Sequence, residues 1–175
     1  MANEELSIRA AHLSDLDEVV AVHTQARTAY YRAGGLSEEE IEAPGGPALR
    51  RDAWALVLET DTRTVLCALR AGALAGVVTM GPPQGGDADA GLIGELYQLH
   101  VLPEHWGHGV GSRLHAAFVR FLRDSSRRAG RVEAWERNHR ALAFYARHGW
   151  TPDGHRVPGP AGTSYLRMHL DVGNS

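Results

Sequence analysis

One segment constrains this chain more than any other: Leu99-His100-Val101-Leu102-Pro103-Glu104-His105-Trp106-Gly107-His108-Gly109-Val110-Gly111-Ser112. A strand-like run feeds a turn with glycine at every second place, and the turn opens a helix. Glycine lets successive N–H groups point into one concavity, and a helix N-terminus adds partial positive charge. Such a turn suits a phosphate or diphosphate. A nucleotide-hydrolase P-loop is excluded, because the chain contains no lysine. A dinucleotide fold is disfavoured too. The spacing is G-x-G-x-G rather than G-x-G-x-x-G, it lies far from the N-terminus, and no βαβ unit with a suitably placed acidic residue follows. The remaining alternative is a tight strand-to-helix turn that binds nothing.

The rest of the composition narrows the setting. A length of 175 residues with 43% hydrophobic content fits one domain over residues 1–175 with no linker. Net charge is −3, so no global field recruits nucleic acid or an acidic membrane. All 18 basic residues are arginine, so no lysine side chain is available for modification. The single cysteine, Cys67, cannot form an intramolecular disulfide, and within the apolar stretch Thr64 to Leu69 it reads as a buried small hydrophobe. Met1 to Glu5 is polar and acidic, unlike a signal peptide, and no apolar run approaches membrane-spanning length. The expectation is a cytoplasmic protein.

Periodicity supplies a coarse map. Leu6 to Ala10 reads as a strand. Ser14 is placed to N-cap a helix whose apolar positions (Leu16, Val19, Val20, His23, Ala26, Arg27, Tyr30) run to about Tyr31, ended by Gly34-Gly35. Further helices are expected over Ser37 to Ala43 and Ala48 to Leu58. Thr64 to Arg70 and Leu74 to Met80 form a hairpin around Ala71-Gly72-Ala73, and Pro82 to Ala90 is a surface loop. Leu92 to Val101 is a long strand. The helix after the glycine turn presents Leu114, Ala117, Phe118, Phe121 and Leu122 inward. Arg131 to Trp135 is a strand, Asn138 caps a helix ended by Gly149, and Ser164 to Leu170 closes the sheet. The order is β-α-α-(α)-β-β-β-α-β-α-β, an α/β fold with helices on both faces of a mixed sheet.

The pattern Leu99-x-Val101-x-Pro103-x-x-Trp106-Gly107-x-Gly109-x-Gly111-x-x-Leu114 resembles the acetyl-CoA motif of the GNAT superfamily of N-acetyltransferases. A second signature follows in order: Asn138-x-x-Ala141-x-x-Phe144-Tyr145-x-x-x-Gly149-Trp150. The Ile8-Arg9 strand and the first helix also match, so the likeness spans nearly the whole chain. It implies a GNAT-type, mostly antiparallel central sheet whose splayed strands hold acetyl-CoA as cosubstrate, with no metal. The coenzyme would lie against Leu99, His100, Val101, Trp106, Gly107, His108, Gly109, Val110, Gly111 and Ser112, with Asn138 and Tyr145 across from them. A homodimer is common among such proteins. One departure stands out: Trp106 occupies the place of the usual Arg or Gln. The backbone cradle survives this, but a guanidinium contact to phosphate does not, which leaves His105, His108 and Arg113 as candidates to supply the charge.

The resemblance also assigns chemistry. An alkyl amine is mostly protonated at neutral pH, and freeing its lone pair costs roughly 4–5 kcal/mol unaided. A carboxylate can take that proton directly or through water. Glu95, on the strand entering the glycine turn, and Glu133, on the neighbouring strand, both match positions where family members carry a base; Glu95 is favoured. Its competing reading is a carboxylate paired with arginine on the sheet face. A backbone N–H within Leu99 to Val101 would stabilise the oxyanion. Tyr145 would protonate the departing thiolate, its rival reading being a core aromatic beside Phe144.

Four histidines (His100, His105, His108, His115) crowd one region, but without Cys, Asp or a third histidine at regular ligand spacing they do not read as a metal site. The expected fates are a strand residue for His100, turn residues for His105 and His108, and a helix-surface residue for His115. Tyr30, Tyr31 and Arg32, with the Gly34-Gly35 corner, would border the acceptor pocket. The acceptor expected is a small-molecule amine, with a protein or peptide amine, or a non-catalytic CoA-sensing domain, as the alternatives.

Overall fold

The computed structural model describes residues 5–42, 46–85 and 91–173. Seven strands form one sheet in the order β1-β2-β3-β4-β5-β7-β6. They are β1 (Leu6–Ala10), β2 (Thr64–Arg70), β3 (Ala73–Gly81), β4 (Ile93–Val101), β5 (Ala129–Trp135), β6 (Thr151–Pro158) and β7 (Ser164–Asp171). Every neighbouring pair is antiparallel except β4 with β5. The helices are α1 (Leu16–Ala33), α2 (Glu38–Glu42), α3 (Gly46–Glu59), α4 (Val110–Asp124) and α5 (His139–Arg147). None of them is long and apolar enough to cross a membrane. Residues 43–45, which end the expected second helix and begin the loop after it, and 86–90 of the expected surface loop lie outside the described residues.

Two apolar layers sandwich the sheet. On one face α4 inserts Val110, Leu114, Phe118 and Leu122, each four residues after the last, against Val78, Met80, Leu96, Val132 and Met168. On the other, Val19 and Val22 of α1 and Trp54 of α3 cover Val65, Cys67 and Val77. Cys67 is fully buried, and burial pushes its thiol up to about 12, so it behaves as a small hydrophobe. Near the C-terminal end of β5, Trp135 packs with Tyr31, Leu36 and Ile41.

Three expectations are corrected here. Ser14 does not cap α1: it falls inside a 3-10 turn over Leu13–Asp15, and it is Asp15 whose carboxylate accepts from the His12 N–H at 2.8 Å and from Arg9 at 2.8 and 2.9 Å. The Arg9 guanidinium holds that carboxyl at about 2. β6 is a seventh strand that periodicity missed. It is an edge strand, nearly all exposed, interrupted by Pro152 and Gly154 and by a register shift between Pro152 and Arg156, so it carries no alternating apolar signal. The third concerns His115, which is not on the helix surface but 5% exposed, its Nε2 accepting from Trp150 Nε1–H at 2.9 Å. A buried indole needs an acceptor, and the imidazole one residue beyond Leu114 supplies it.

That pair makes a measurable prediction. Burial first, then the proximity of His148, depresses the His115 pKa to about 4, against 6.5 for a free imidazole. The unfolded chain therefore binds the proton more readily, and the stability present above pH 6.5 is lost as pH falls toward 4. The loss from His115 is roughly 3 kcal/mol at most. His23, depressed to about 4 by burial and by Arg50 and Arg27, adds in the same direction. His115→Gln keeps an acceptor for Trp150 without a titrating ring. Urea midpoints between about pH 7 and about pH 4.5 should fall less steeply for this variant than for the parent.

Candidate active site

β4 carries a bulge. Thr79 pairs with Gln98 but Met80 pairs with Leu96, which leaves Tyr97 as the extra residue. Leu96 and Leu99, three apart, consequently both pack toward α4. His100 looks the other way, its ring stacked on His23 of α1 with centroids 4.4 Å apart. The parallel pairing of β4 with β5 ends at Leu96 and Val132. Beyond that pair the two strands part, each still bonded to its outer neighbour as far as Val101 and Trp135.

The turn beyond β4 is fixed by backbone bonds. His105 N–H donates to Leu102 O at 2.8 Å and Trp106 N–H to Pro103 O at 3.1 Å. The Trp106 indole N–H reaches back to Val101 O at 2.9 Å. Gly107 and Gly109 have φ of 77° and 83°, a left-handed conformation that costs a residue with Cβ roughly 1–2 kcal/mol. α4 starts immediately after them.

Between this turn and α5 lies a cleft of about 740 Å³ that continues into the parting of β4 and β5. It is lined by Leu99, His100, Val101, Trp106, Gly107, Gly109, Val110, Gly111 and Ser112 on one side and by Asn138 and Tyr145 on the other. Tyr30 also borders it. His108 does not; its Nδ1 sits 2.9 Å from Trp106 O on the exposed rim. Asn138 caps α5, its Oδ1 accepting from Ala141 N–H at 3.1 Å. Tyr145 is 6% exposed, and its hydroxyl has no hydrogen-bond partner among the described residues. Burial raises its pKa, so the phenol stays protonated.

Neither carboxylate lines the cleft. Glu95 lies one residue before the last β4–β5 pair and Glu133 one residue after it. The Glu95 carboxylate is buried and accepts from Arg131 Nε at 2.6 Å. Burial raises its pKa, and the guanidinium opposes that shift without cancelling it. Glu133 is exposed, in register with Arg167, which is itself bonded to Asp153 at 2.6 Å. The three acceptor-side candidates separate. Tyr30 reaches the cleft, whereas Tyr31 is buried and shares a hydrogen bond with the Tyr165 hydroxyl. Arg32 is exposed and paired with Glu38 at 2.7 Å.

Several residues that sequence reasoning missed belong to this region. Behind the cleft residue His100 stacks His23, which the sequence did not single out for the site, and Trp54 Nε1–H donates to His23 Nδ1 at 2.7 Å, which puts the proton of the neutral ring on Nε2. Thr79 Oγ1 and Gln98 Oε1 are buried without a partner among the described residues. His100 itself is 8% exposed, and burial lowers its pKa. Arg137, Arg140 and Arg147 border the cleft from α5 and its approach. Their signal was present as three arginines around the Asn138 motif. Arg113, by contrast, lies outside the cleft: it donates to Leu6 O at 3.3 Å and lines a second groove, between α4 and β1–β3. Among the described residues no group of three or more His, Cys, Asp or Glu is placed to hold a metal ion.

Residues 21–150 match the model of the acetyltransferase (GNAT) family, and the chain belongs to that family. It is a GNAT-type N-acetyltransferase. Its sequence is 27% identical over 144 residues to an uncharacterized N-acetyltransferase of Archaeoglobus fulgidus, covering 81% of this chain and 90% of that one. Among solved structures, the fold is similar to the PaiA N-acetyltransferase of Thermoplasma acidophilum in complex with coenzyme A (TM-score 0.72, 18% identity, 95% of this chain and 99% of that one). It is also similar to yncA of Salmonella typhimurium, solved with its cofactor acetyl-CoA (TM-score 0.71, 16% identity, 98% and 96%).

Proposed function

We propose that this chain, as one catalytic domain, transfers acetyl from acetyl-CoA directly to the amine of a small molecule while both are bound. The observation that carries this reading is the cleft itself. A glycine turn opens into a helix on one wall, Asn138 and Tyr145 stand on the other, and the floor is the stretch of β4 beyond its last pair with β5. The residues fit the coenzyme. A Cβ on Gly111 would come within 3.3 Å of Phe144, so the glycine keeps α4 and α5 apart without crowding where the cleft narrows. The thioester would supply the activated acetyl group.

The chain's own groups have distinct tasks. Amides of the glycine turn hold phosphate oxygens. A β4 amide between Leu99 and Val101 donates to the oxygen that gains charge. Tyr145, kept protonated by burial and without a partner, donates to the departing sulfur. Glu95 takes the amine proton through water, since its carboxylate is set back from the cleft against Arg131. Glu133 is the second candidate. A small acceptor, rather than a protein tail, is supported by the corner after α1. Leu36 and Ile41 are buried against Trp135 there, with Tyr30 packed beside them, so this corner is filled by the chain's own side chains.

A thiol-release assay over amines, amino acids, aminoglycosides and peptides tests the reading. Turnover is expected on a small amine. CoA binding without turnover on any of them would favour a sensor instead. Glu95→Gln should lower kcat roughly tenfold or more, and most at low pH, where the amine is hardest to deprotonate. A variant with an unchanged pH–rate profile but a lower melting temperature would make Glu95 an ion-pair brace and pass the role of base to Glu133 or to a chain of waters.

A further inference from the structure

The turn lacks the cation expected of it, because Trp106 stands in that place. The indole is committed elsewhere: its N–H is bonded to Val101 O at 2.9 Å, which ties the turn to the end of β4 and leaves a ring face at the cleft. On that face lies a guanidinium. The Arg140 Cζ is 4.5 Å from the Trp106 ring centroid, within range of a cation–π contact. α5 runs alongside the turn and the start of α4. Arg140 meets Trp106, Phe144 faces Gly111, and His148 Nε2 lies 3.3 Å from Ser112 Oγ. Arg140 is exposed, lines the cleft beside Gly107, and among the described residues has no carboxylate partner. A guanidinium held on an aromatic face keeps its N–H fork free and loses less freedom when it grips an oxyanion.

We infer that Arg140, held on Trp106, grips the coenzyme diphosphate and replaces the side chain that the turn itself lacks. The assignment rests on the coenzyme reading of the cleft. Trp106 thereby acts as a platform for a cation delivered from the neighbouring helix. His105 and His108 are not needed for the charge.

Calorimetric titration of the purified protein with CoA and with pantetheine, which has no diphosphate, tests this. Arg140→Ala should weaken CoA binding ten- to about a hundredfold, the range for a hydrogen bond to a charged group, and leave pantetheine binding unchanged. Arg140→Lys should recover part of the loss. The double variant Trp106→Arg/Arg140→Ala should recover most of it by returning a guanidinium to the turn. The assignment is overturned if Arg140→Ala binds CoA within about twofold of the parent, or weakens both ligands equally. A parent protein that binds neither ligand overturns the coenzyme reading, and this assignment with it.

Discussion

Gly111→Leu is expected to bind acetyl-CoA at least about a hundredfold more weakly than the parent while remaining folded. Gly111 sits in the first turn of α4 with ordinary helical dihedrals, so it is not retained for backbone freedom. What it lacks is volume. A Cβ there would lie 3.3 Å from Phe144 Cε2, 3.6 Å from Phe144 Cζ and 3.8 Å from Val101 Cγ2, so three further carbons must occupy the cleft between α4 and α5. Leucine is also a better helix former than glycine, by somewhat less than about 1 kcal/mol, so the helix itself does not suffer. Gly109→Ala gives the contrast. Its Cβ meets nothing within 4 Å, but φ is +83°, so its cost is strain of about 1–2 kcal/mol rather than a blocked cleft. Coenzyme titration beside a thermal melt separates the two. Parental affinity in Gly111→Leu would mean that the coenzyme does not pass between these helices.

The second large effect is on stability. Trp135→Ala should cost about 3–5 kcal/mol, the range for emptying a large aromatic site. The ring is 2% exposed, meets Tyr31 edge-on with centroids 4.8 Å apart, and donates from Nε1 to Thr163 Oγ1 at 2.6 Å. It also fits against Gly34, where an added Cβ would come within 2.2 Å of its Cζ3. One side chain thus joins the end of α1, the last residue of β5 and the turn before β7. For a chain of this size, such a loss lowers the melting temperature by roughly 10 °C. Acceptor affinity should suffer before coenzyme affinity, because the corner at Tyr31, Leu36 and Ile41 loses its backing. Trp135→Phe, which keeps most of the volume, should fall between. A melting temperature within about 2 °C of the parent for Trp135→Ala would refute this account.

Local chemistry explains what could be read in advance. The glycine turn, the Asn138 cap and the Leu114, Phe118 and Leu122 positions of the α4 stripe are encoded by neighbours within one or two turns, and each lies where the pattern puts it. Pairings across the fold are not encoded locally. Nothing near His115 announces Trp150, 35 positions later, and nothing near His23 announces Trp54. Both histidines were legible only as positions on a helix. The bulge at Tyr97 changes which β4 side chains share a face, and alternation alone cannot show it. Arg140 was legible as a residue but not as a partner of Trp106, because the contact joins two motifs that lie more than thirty residues apart. Glu95 is legible as a charge within an apolar strand, and its bond to Arg131 is the sheet-face ion pair that such a position allows beside a catalytic role.

The parting of β4 from β5 has a thermodynamic corollary. Past Leu96 and Val132 the sheet keeps its outer bonds but exposes main-chain edges that face each other without meeting. An extended molecule lying there can complete the ladder as an extra strand would, so the apo protein should breathe most at this seam. Saturating coenzyme should slow amide hydrogen exchange along Leu99 to Val101 and raise the unfolding temperature, by about 2.7 kcal/mol of added stability at a hundredfold excess over Kd.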